Sequence, residues 1–422
     1  MRTDWGARAA SAIDERELVA ILVDLVRIPS VGGSAGEVEI QHRLAVDLGR
    51  LGAETDLWRI DLDDVLSRPD FPGVEVARDE AWGLVARFPG TGDGPPLMLN
   101  AHVDVVPPGD LAAWSQSDPY GASVTADRVL GRGACDMKGG LVAALIAIRA
   151  LREVGAPLRG DVLLACVPGE EDGGLGTYAL LDRGWRADAC VVPEPTGLDL
   201  VPANAGALTF RLRVRGRATH ASRRTEGVSA VDKFWPVWRA LERLEQERNV
   251  AVDPLMRRWP LAYPISIGTV TCGDWASTVP DLLVAEGRLG VALDEPVEEA
   301  RQALSEAVAE ACAADSWLRE HPVEVEWWGG QFAPGRLPAW SDLLARVRRA
   351  HAAVADQEPD VWGAPYGSDL RLLTGLGGIP TLHYGPGDAA LAHAPDEAVP
   401  IAEVVTAART LALLALDVCG VA

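Results

Sequence analysis

Apolar residues near the start of the chain recur with the period of an α-helix. This spacing predicts a helix over 13–26, which Pro29 ends. A second helix is predicted over about 36–51, with Gly52 placed as its C-terminal cap. The segment 58–80 is polar and contains prolines, so we expect it to form an excursion over the protein surface.

Strands and helices then alternate. The predicted strands are WGLVARF (82–88), LMLNA (97–101), DVLLACVP (161–168) and ADACVVP (187–193), and the predicted helices begin at Gly139 and lie near 174–184. Continuous apolar strands that alternate with helices are typical of a mostly parallel sheet with helices on both faces. The fold class is therefore α/β. In such sheets, ligands bind beyond the carboxyl ends of the strands.

The pattern changes after Asn204. ALTFRLRVRGRATH alternates apolar and basic residues with period two, as an antiparallel strand with one solvated face does. Helices at 229–248 and 296–313 and strands near 263–270, 282–293 and 323–328 are predicted to follow. This β-α-β-β-α-β order suits an inserted α+β domain. We therefore expect a first domain built from residues 1–205 and 329–422, with the inserted domain at 206–328.

Composition narrows the classes of function. A chain of 422 residues favours two domains, and its net charge of −22 argues against a nucleic-acid partner, which would need clustered Lys and Arg. The N-terminus has no apolar signal-peptide core, and no apolar run approaches the ~18–20 residues of a membrane span. Six widely spaced cysteines without a C-x-x-C pair indicate reduced thiols. We expect a cytoplasmic protein with no membrane partner.

Five side chains that can bind a metal lie mostly where predicted strands end. They are His102, Asp136, Glu171, Glu194 and His393. All offer nitrogen or oxygen, and three carboxylates with two imidazoles can hold two divalent cations if one carboxylate bridges them. Two metals ~3.5–4 Å apart make a hydrolytic site rather than a structural one.

Residues beside these ligands have candidate roles. Asp104 follows His102 by two positions on an extended segment, so its carboxylate could accept a hydrogen bond from the His102 ring. Glu170 and Glu171 are adjacent and would point in different directions, so one could bind metal while the other faces the substrate. Each motif also has an ordinary alternative. The H-x-D pattern of His102 and Asp104 can occur by chance, Glu170 and Glu171 could form an exposed acidic turn, and Asp136 could be a helix N-cap.

Two further histidines have less certain roles. His220 stands alone in the inserted domain and, taken alone, would usually be structural. His383 lies on a strand that leads into a Gly-Pro-Gly loop and could lie near the site. Other reaction classes find no support, because the chain has neither a G-x-S-x-G elbow nor a Walker A sequence.

Taken in order, these motifs closely resemble the family of dinuclear zinc amidohydrolases and exopeptidases that includes acetylornithine deacetylase, succinyl-diaminopimelate desuccinylase, aminoacylase and glutamate carboxypeptidase. The resemblance implies that Asp136 bridges two divalent metals, most often zinc, with cobalt or manganese as alternatives that the same ligands suit. One metal would add His102 and Glu194, and the other Glu171 and His393.

The resemblance also implies roles around the metals. Glu170 would be the general base, and Asp104 would clamp His102. The inserted domain would serve as a lid and as the contact of a homodimer. His220 would reach across that dimer to the partner's site and stabilise the oxyanion.

Substrate residues are implied less directly. Arg288 fits the arginine that grips a substrate carboxylate in this family, although a surface arginine on a strand is the ordinary alternative. The GSDLR motif fits the substrate loop, with Asp369 and Arg371 as its charged members. Ser277 stands where family members often have an asparagine. The arginine and the GSDLR motif favour a carboxylate-bearing substrate.

The predicted function is therefore a metal-dependent deacylase that cleaves the amide bond of a small N-acyl amino acid or N-acyl amine. Deacetylation of an N-acyl amino acid comes first among the alternatives. An N-formyl or N-acyl amine such as an aminopyrimidine comes next, then a dipeptidase or carboxypeptidase. A non-catalytic binding relative would be expected to have lost a ligand or Glu170, and none is missing.

Overall fold

The computed structural model describes residues 4–422, which form two units. One unit comprises the chain up to Ala203 together with Arg336–Trp362 and Ser368–Ala422, and the other comprises Asn204–Gly335 and Gly363–Gly367. No helix within the described residues is both long and apolar enough to cross a membrane.

The helices, in chain order, are α1 (Trp5–Ala12), α2 (Glu15–Val26), α3 (Ala35–Arg50), α4 (Leu62–Ser67), α5 (Gly139–Glu153), α6 (Leu175–Asp182), α7 (Ala230–Arg248), α8 (Val297–Ala314), α9 (Ser316–Glu320), α10 (Leu343–Ala352) and α11 (Ile401–Cys419). The strands are β1 (Glu54–Arg59), β2 (Trp82–Phe88), β3 (Leu97–His102), β4 (Ser123–Val124), β5 (Arg128–Leu130), β6 (Val162–Val167), β7 (Ala189–Val192), β8 (Leu200–Asn204), β9 (Gly206–Arg215), β10 (Ile265–Cys272), β11 (Leu282–Val291), β12 (Glu324–Phe332), β13 (Gly335–Arg336), β14 (Val361–Ala364), β15 (Thr381–His383) and β16 (Ala398–Pro400).

The large sheet has a parallel centre. Its strands follow the order β1-β2-β6-β3-β7-β15-β8, and β6, β3, β7 and β15 run parallel to one another. The outer pairings, β1 with β2, β2 with β6 and β15 with β8, are antiparallel. Helices α5 and α11 pack against each other and against β3. The predicted α/β class is confirmed.

The central strands are mostly apolar and are buried along their whole length. Every residue of β3, β6 and β7 is buried, as is expected of strands in a sheet that is covered on both faces. Since these three strands are parallel, their carboxyl ends share one edge of the sheet. The residues that follow each strand therefore meet there.

The second unit contains a four-stranded antiparallel sheet in the order β10-β11-β9-β12. Alternate residues of β9, from Leu208 to Val214, are fully buried, whereas Arg211 and Arg213 are half-buried and Arg215 is exposed. This alternation is the period of two that the sequence predicts. Helices α7 and α8 pack against each other and against β11.

The prediction that residues 58–80 form a surface excursion is wrong in part. The segment contains α4, whose Val65 is buried, and the side chain of Arg78 is only 2% exposed. Composition favoured a surface position because the segment is polar. The Arg78 side chain is buried because it pairs with Glu37 and Asp172, and composition contains no information about such pairing.

Candidate active site

The candidate ligands sit at the carboxyl edge of the parallel strands. His102 is the last residue of β3, Glu171 lies in the loop after β6, and Glu194 lies two residues after β7. Asp136 occupies a tight turn before α5, and its peptide bond to Met137 is cis. The strand directions thus bring together residues that are far apart in the chain.

Asp136 lies between the two candidate histidines. Its Oδ1 is 3.1 Å from Nε2 of His102, and its Oδ2 is 3.6 Å from Nε2 of His393. Each histidine also faces a glutamate: His102 Nε2 lies 3.9 Å from Oε1 of Glu194, and His393 Nε2 lies 2.9 Å from Oε2 of Glu171. The cluster therefore has two halves that share one carboxylate.

The carboxylates of this cluster are crowded and poorly solvated. Burial, reinforced by neighbouring negative charges, raises the pKa of Glu170 and of Glu194 well above its usual range. Burial alone would lower the pKa of His102, but its hydrogen bond to Asp136 and the charge of Glu194 raise it well above the usual value. The hydrogen bond to Glu171 raises the pKa of His393 to about 9.

This donor set fits divalent cations. Nitrogen and oxygen donors of His102, Asp136 and Glu171 lie within 4.8 Å of one another, as do those of His102, Glu170 and Glu194. Oε1 of Glu171 is buried and accepts no hydrogen bond within the described residues. Several buried carboxylates with only two imidazoles leave an excess of negative charge that bound cations would neutralise.

Asp104 differs from its prediction. Nδ1 of His102 lies 2.8 Å from the backbone carbonyl oxygen of Asp104, whereas the nearest carboxylate oxygen is 3.8 Å away. The carboxylate instead accepts hydrogen bonds from the backbone N–H groups of Glu170 and Glu171, at 3.2 and 3.1 Å. The strand ends at His102, so the period-two argument no longer applies at Asp104. The clamp on the ring is the carbonyl, which directs Nε2 towards Asp136.

Sequence reasoning missed Glu397, which anchors the turn of Asp136. This fully buried carboxylate accepts hydrogen bonds from the backbone N–H groups of Cys135 and Asp136, at 2.9 and 3.0 Å. Its other oxygen pairs with Nη1 of Arg132 at 2.5 Å. Its position four residues after His393, in HAPDE, was the available signal.

Asp369 and Arg371 do not lie on an open surface. Asp369 is fully buried and accepts a hydrogen bond from the Thr177 hydroxyl at 2.6 Å. Arg371, 5% exposed, donates to the backbone carbonyls of Ser368 and Gly173, at 2.8 and 2.7 Å. Arg371 thereby binds the loop that contains Glu170 and Glu171. The contact of Asp369 and Arg371 with substrate remains a prediction.

His383 is also buried and lies outside the cluster. Its Nε2 is 2.8 Å from the hydroxyl of Ser368, and burial lowers its pKa to about 3. The ring is therefore neutral at physiological pH. His383 belongs to neither group of potential metal-binding side chains among the described residues.

The other predicted site residues belong to the second unit. His220 is exposed, and its Nδ1 lies 2.7 Å from the hydroxyl of Ser222 and accepts that residue's backbone N–H at 3.2 Å. Arg288 is half-buried on β11 with its guanidinium 5.7 Å from the ring centre of Phe332. Ser277 is exposed. The roles of His220, Arg288 and Ser277 remain predictions.

Carboxylates and imidazoles arranged in two halves at the edge of a parallel α/β sheet define the class of metal-dependent hydrolases. The chain belongs to peptidase family M20/M25/M40, whose family model matches residues 98–417. Proteins of this family depend on metal ions and hydrolyse amide bonds, so the predicted family and reaction class are confirmed.

Some known relatives match nearly the whole chain, and others match about half of it. A protein from Halalkalibacterium halodurans named N-formyl-4-amino-5-aminomethyl-2-methylpyrimidine deformylase is 26% identical, over 96% of this chain and 95% of that protein. A succinyl-diaminopimelate desuccinylase from Methylobacterium nodulans is 37% identical over 215 residues, which are 48% of this chain and 50% of that protein. The structure of human carnosine dipeptidase 1 shares the fold, with a TM-score of 0.76, 15% identity and 99% of both chains covered.

Proposed function

We propose that this protein uses two divalent cations to hydrolyse the amide bond of a small N-acyl amine or N-acyl amino acid. One observation supports this most directly: the two carboxylate oxygens of Asp136 face two different histidines, each of which is paired with its own glutamate. That arrangement suits two cations with a shared aspartate. Zinc is the first candidate, and cobalt and manganese accept the same donors.

In this proposal one cation would be held by His102, Asp136 and Glu194, and the other by Glu171, Asp136 and His393. Bound cations would lower the pKa of a water molecule and polarise the amide carbonyl of the substrate. The protein supplies the ligands, excludes water from the buried half and provides the proton acceptor.

Glu170 is the proposed proton acceptor. Its side chain is 7% exposed, and burial with nearby negative charge raises its pKa, which strengthens it as a base. Its carboxylate would take a proton from water and then give that proton to the departing amine. Asp104 holds the Glu170 backbone in place, so the base has a defined position.

Two substrate classes have specific support. Similarity along 95% of a deformylase favours an N-formyl amine. The higher identity to a desuccinylase covers only half of each chain and favours an N-acyl amino acid that bears a carboxylate. Arg288 would grip that carboxylate in the second case, and Ser277 would line the same site.

A panel of N-formyl, N-acetyl and N-succinyl amines with dipeptides, assayed after reconstitution with zinc, tests this function. Glu170→Gln should retain both metals, because it alters no proposed ligand, yet lose on the order of 10²–10⁴ in kcat. Glu80→Gln, an exposed glutamate outside the cluster, is the control. Substantial turnover by Glu170→Gln would contradict the assignment of the base.

We further propose a cytoplasmic homodimer in which His220 completes the partner's site. The edge strand β10 offers a pairing surface, since five of its eight residues are exposed, all of them within Ser266–Thr271. His220 accepts a hydrogen bond at Nδ1, so in its neutral form the proton lies on Nε2, which could donate a hydrogen bond to an oxyanion.

Mixing two inactive variants tests this arrangement. In a mixed dimer of His220→Ala and Glu170→Gln, one site retains Glu170 and receives an intact His220 from the other subunit. Random mixing should restore about a quarter of wild-type turnover, if the dimer is symmetric. No recovery in a mixture that sediments as a dimer would exclude His220 from the partner's site.

A further inference from the structure

Arg78 is the centre of a buried charge network beside the catalytic loop. Its side chain is 2% exposed, and it makes paired hydrogen bonds to two carboxylates. Nε and Nη2 donate to Glu37 at 2.9 and 3.0 Å, and Nη1 and Nη2 donate to Asp172 at 2.9 Å each. Nη1 also donates to the carbonyl of Val76 at 3.3 Å. All five N–H groups of the guanidinium are therefore used.

The carboxylates that Arg78 binds also hold backbone. Oδ2 of Asp172 accepts the N–H groups of Glu75 and Val76, at 3.1 and 2.8 Å. The two segments approach so closely that a Cβ on Gly173 would lie 1.9 Å from the carbonyl oxygen of Gly73. The segment 73–78 is thus packed directly against the loop that contains Glu170 and Glu171.

The same loop is also held by other groups. The Asp104 carboxylate accepts the N–H groups of Glu170 and Glu171, and Arg371 donates to the carbonyl of Gly173. Asp172, between these contacts, is 5% exposed. Without Arg78 its charge would be buried among other carboxylates, with no described cation in direct contact, and the loop would have to move to solvate it.

We propose that Arg78 is a positioning residue, which acts through Asp172 to hold Glu170 and Glu171 in the orientation that metal binding and proton transfer need. The inference rests on the proposed function for the roles of those two glutamates. It predicts that the residues before β2 contribute to the active site without contacting substrate. A lysine cannot replace Arg78, because an ammonium group lacks the planar fork that bridges two carboxylates.

Arg78→Lys tests the inference, with Arg248→Lys as the matched control. Arg248 is also largely buried and pairs with both oxygens of one carboxylate, Glu295, but it lies in the second unit. Titration of metal-free protein with zinc alone should show about tenfold or greater weakening of one zinc equivalent in Arg78→Lys, the usual loss when a group that supports a ligand is removed. Arg248→Lys should bind zinc as wild type does.

Turnover supplies an independent readout. On whichever substrate the panel identifies, Arg78→Lys should lose kcat with a smaller change in KM, because the base is displaced while substrate contacts remain. Millimolar guanidinium ion should restore part of the zinc affinity of Arg78→Ala, and ammonium ion should not. If Arg78→Ala does not fold, Asp172→Asn is titrated in its place and should show the same weakening.

The outcomes separate the inference from the proposed function. Wild-type protein that binds no zinc would overturn both. Wild-type protein that binds zinc and turns over substrate, alongside an Arg78→Lys variant that matches it in zinc affinity and kcat, would overturn the inference alone. Equal losses in Arg78→Lys and Arg248→Lys would also overturn it, since the effect would then be a general consequence of weakening a buried ion pair.

Discussion

The two halves of the candidate metal cluster use the same residue types in different surroundings. His102 and Glu194 have side chains that are 1% and 6% exposed. His393 and Glu171, which face the other oxygen of Asp136, have side chains that are 54% and 12% exposed. One half is enclosed by the sheet, and the other is open at its histidine.

The difference follows from the elements that present each ligand. His102 ends β3, which pairs with strands on both sides, and Glu194 follows β7, another central strand. His393 lies in the loop between β15 and β16 with a φ of 61°, a left-handed conformation that a residue with a Cβ adopts at some cost. Sheet packing therefore preforms the enclosed half, whereas loop contacts must hold the open half.

The largest expected contrast is in stability without metal. His102→Ala would leave Asp136 and Glu194 buried without their imidazole partner, so unfolding free energy should fall by about 3 kcal/mol, as for other broken buried pairs. His393→Ala removes a half-exposed partner and should cost under about 1 kcal/mol. Chemical denaturation of the metal-free variants measures both values, with His42→Ala as an exposed control.

Metal content should fall in both variants, in contrast to stability. Each should lose occupancy of one metal by elemental analysis, because each lacks one proposed ligand. Equal loss of metal-free stability in the two variants would contradict the expected contrast, since it would mean that the open half contributes as much to stability as the enclosed one.

Glu397→Gln should affect both halves together. It weakens the pair with Arg132 and the hold on the Asp136 backbone, and Asp136 faces both histidines. We expect the affinity for both metals to fall by about 10- to 100-fold, as when supporting partners of ligands are changed. Glu403→Gln is the control, because that carboxylate accepts the N–H of Gly387 rather than that of Asp136. A loss confined to one metal would show that Glu397 supports only one half.

The smallest effect per step of the experiment, about tenfold for each pH unit, concerns zinc binding at the open half. Metal binding requires a neutral imidazole, and the pKa of His393 is raised to about 9 in the metal-free protein. Zinc affinity of this half should therefore rise by about tenfold per pH unit towards pH 9 as proton competition ends. Titration calorimetry in several buffers would also show proton release that declines above pH 9.

The raised pKa of His393 also determines how the stability of the metal-free protein depends on pH. The pKa of His393 is higher in the folded protein than the unperturbed value near 6.5. Its pairing with Glu171 therefore stabilises the metal-free protein fully below about pH 6.5, and this stabilisation is lost as pH rises through about 9. The stability difference between wild type and His393→Ala should shrink over that range, and a constant difference would contradict the pairing.

Much of the fold could be predicted from sequence because its signals are local. The apolar runs of β3, β6 and β7 and the alternation in β9 reflect burial on two faces and on one face. The predictions fail where a contact joins distant segments. Arg78 and Asp172 are 94 residues apart, so polarity alone assigned Arg78 to the surface.

By itself the sequence determined the α/β class and placed three candidate donors, His102, Glu171 and Glu194, at or just after strand ends, because strand and helix periods depend on neighbouring residues. Only the tertiary structure decided which oxygen of Asp136 faces which histidine. It also decided that the Asp104 carbonyl clamps His102, that Asp369 and Arg371 are buried, and that Glu397 holds the Asp136 turn. Arg132 and Glu397 are 265 residues apart, and only chain packing can specify a contact at that separation.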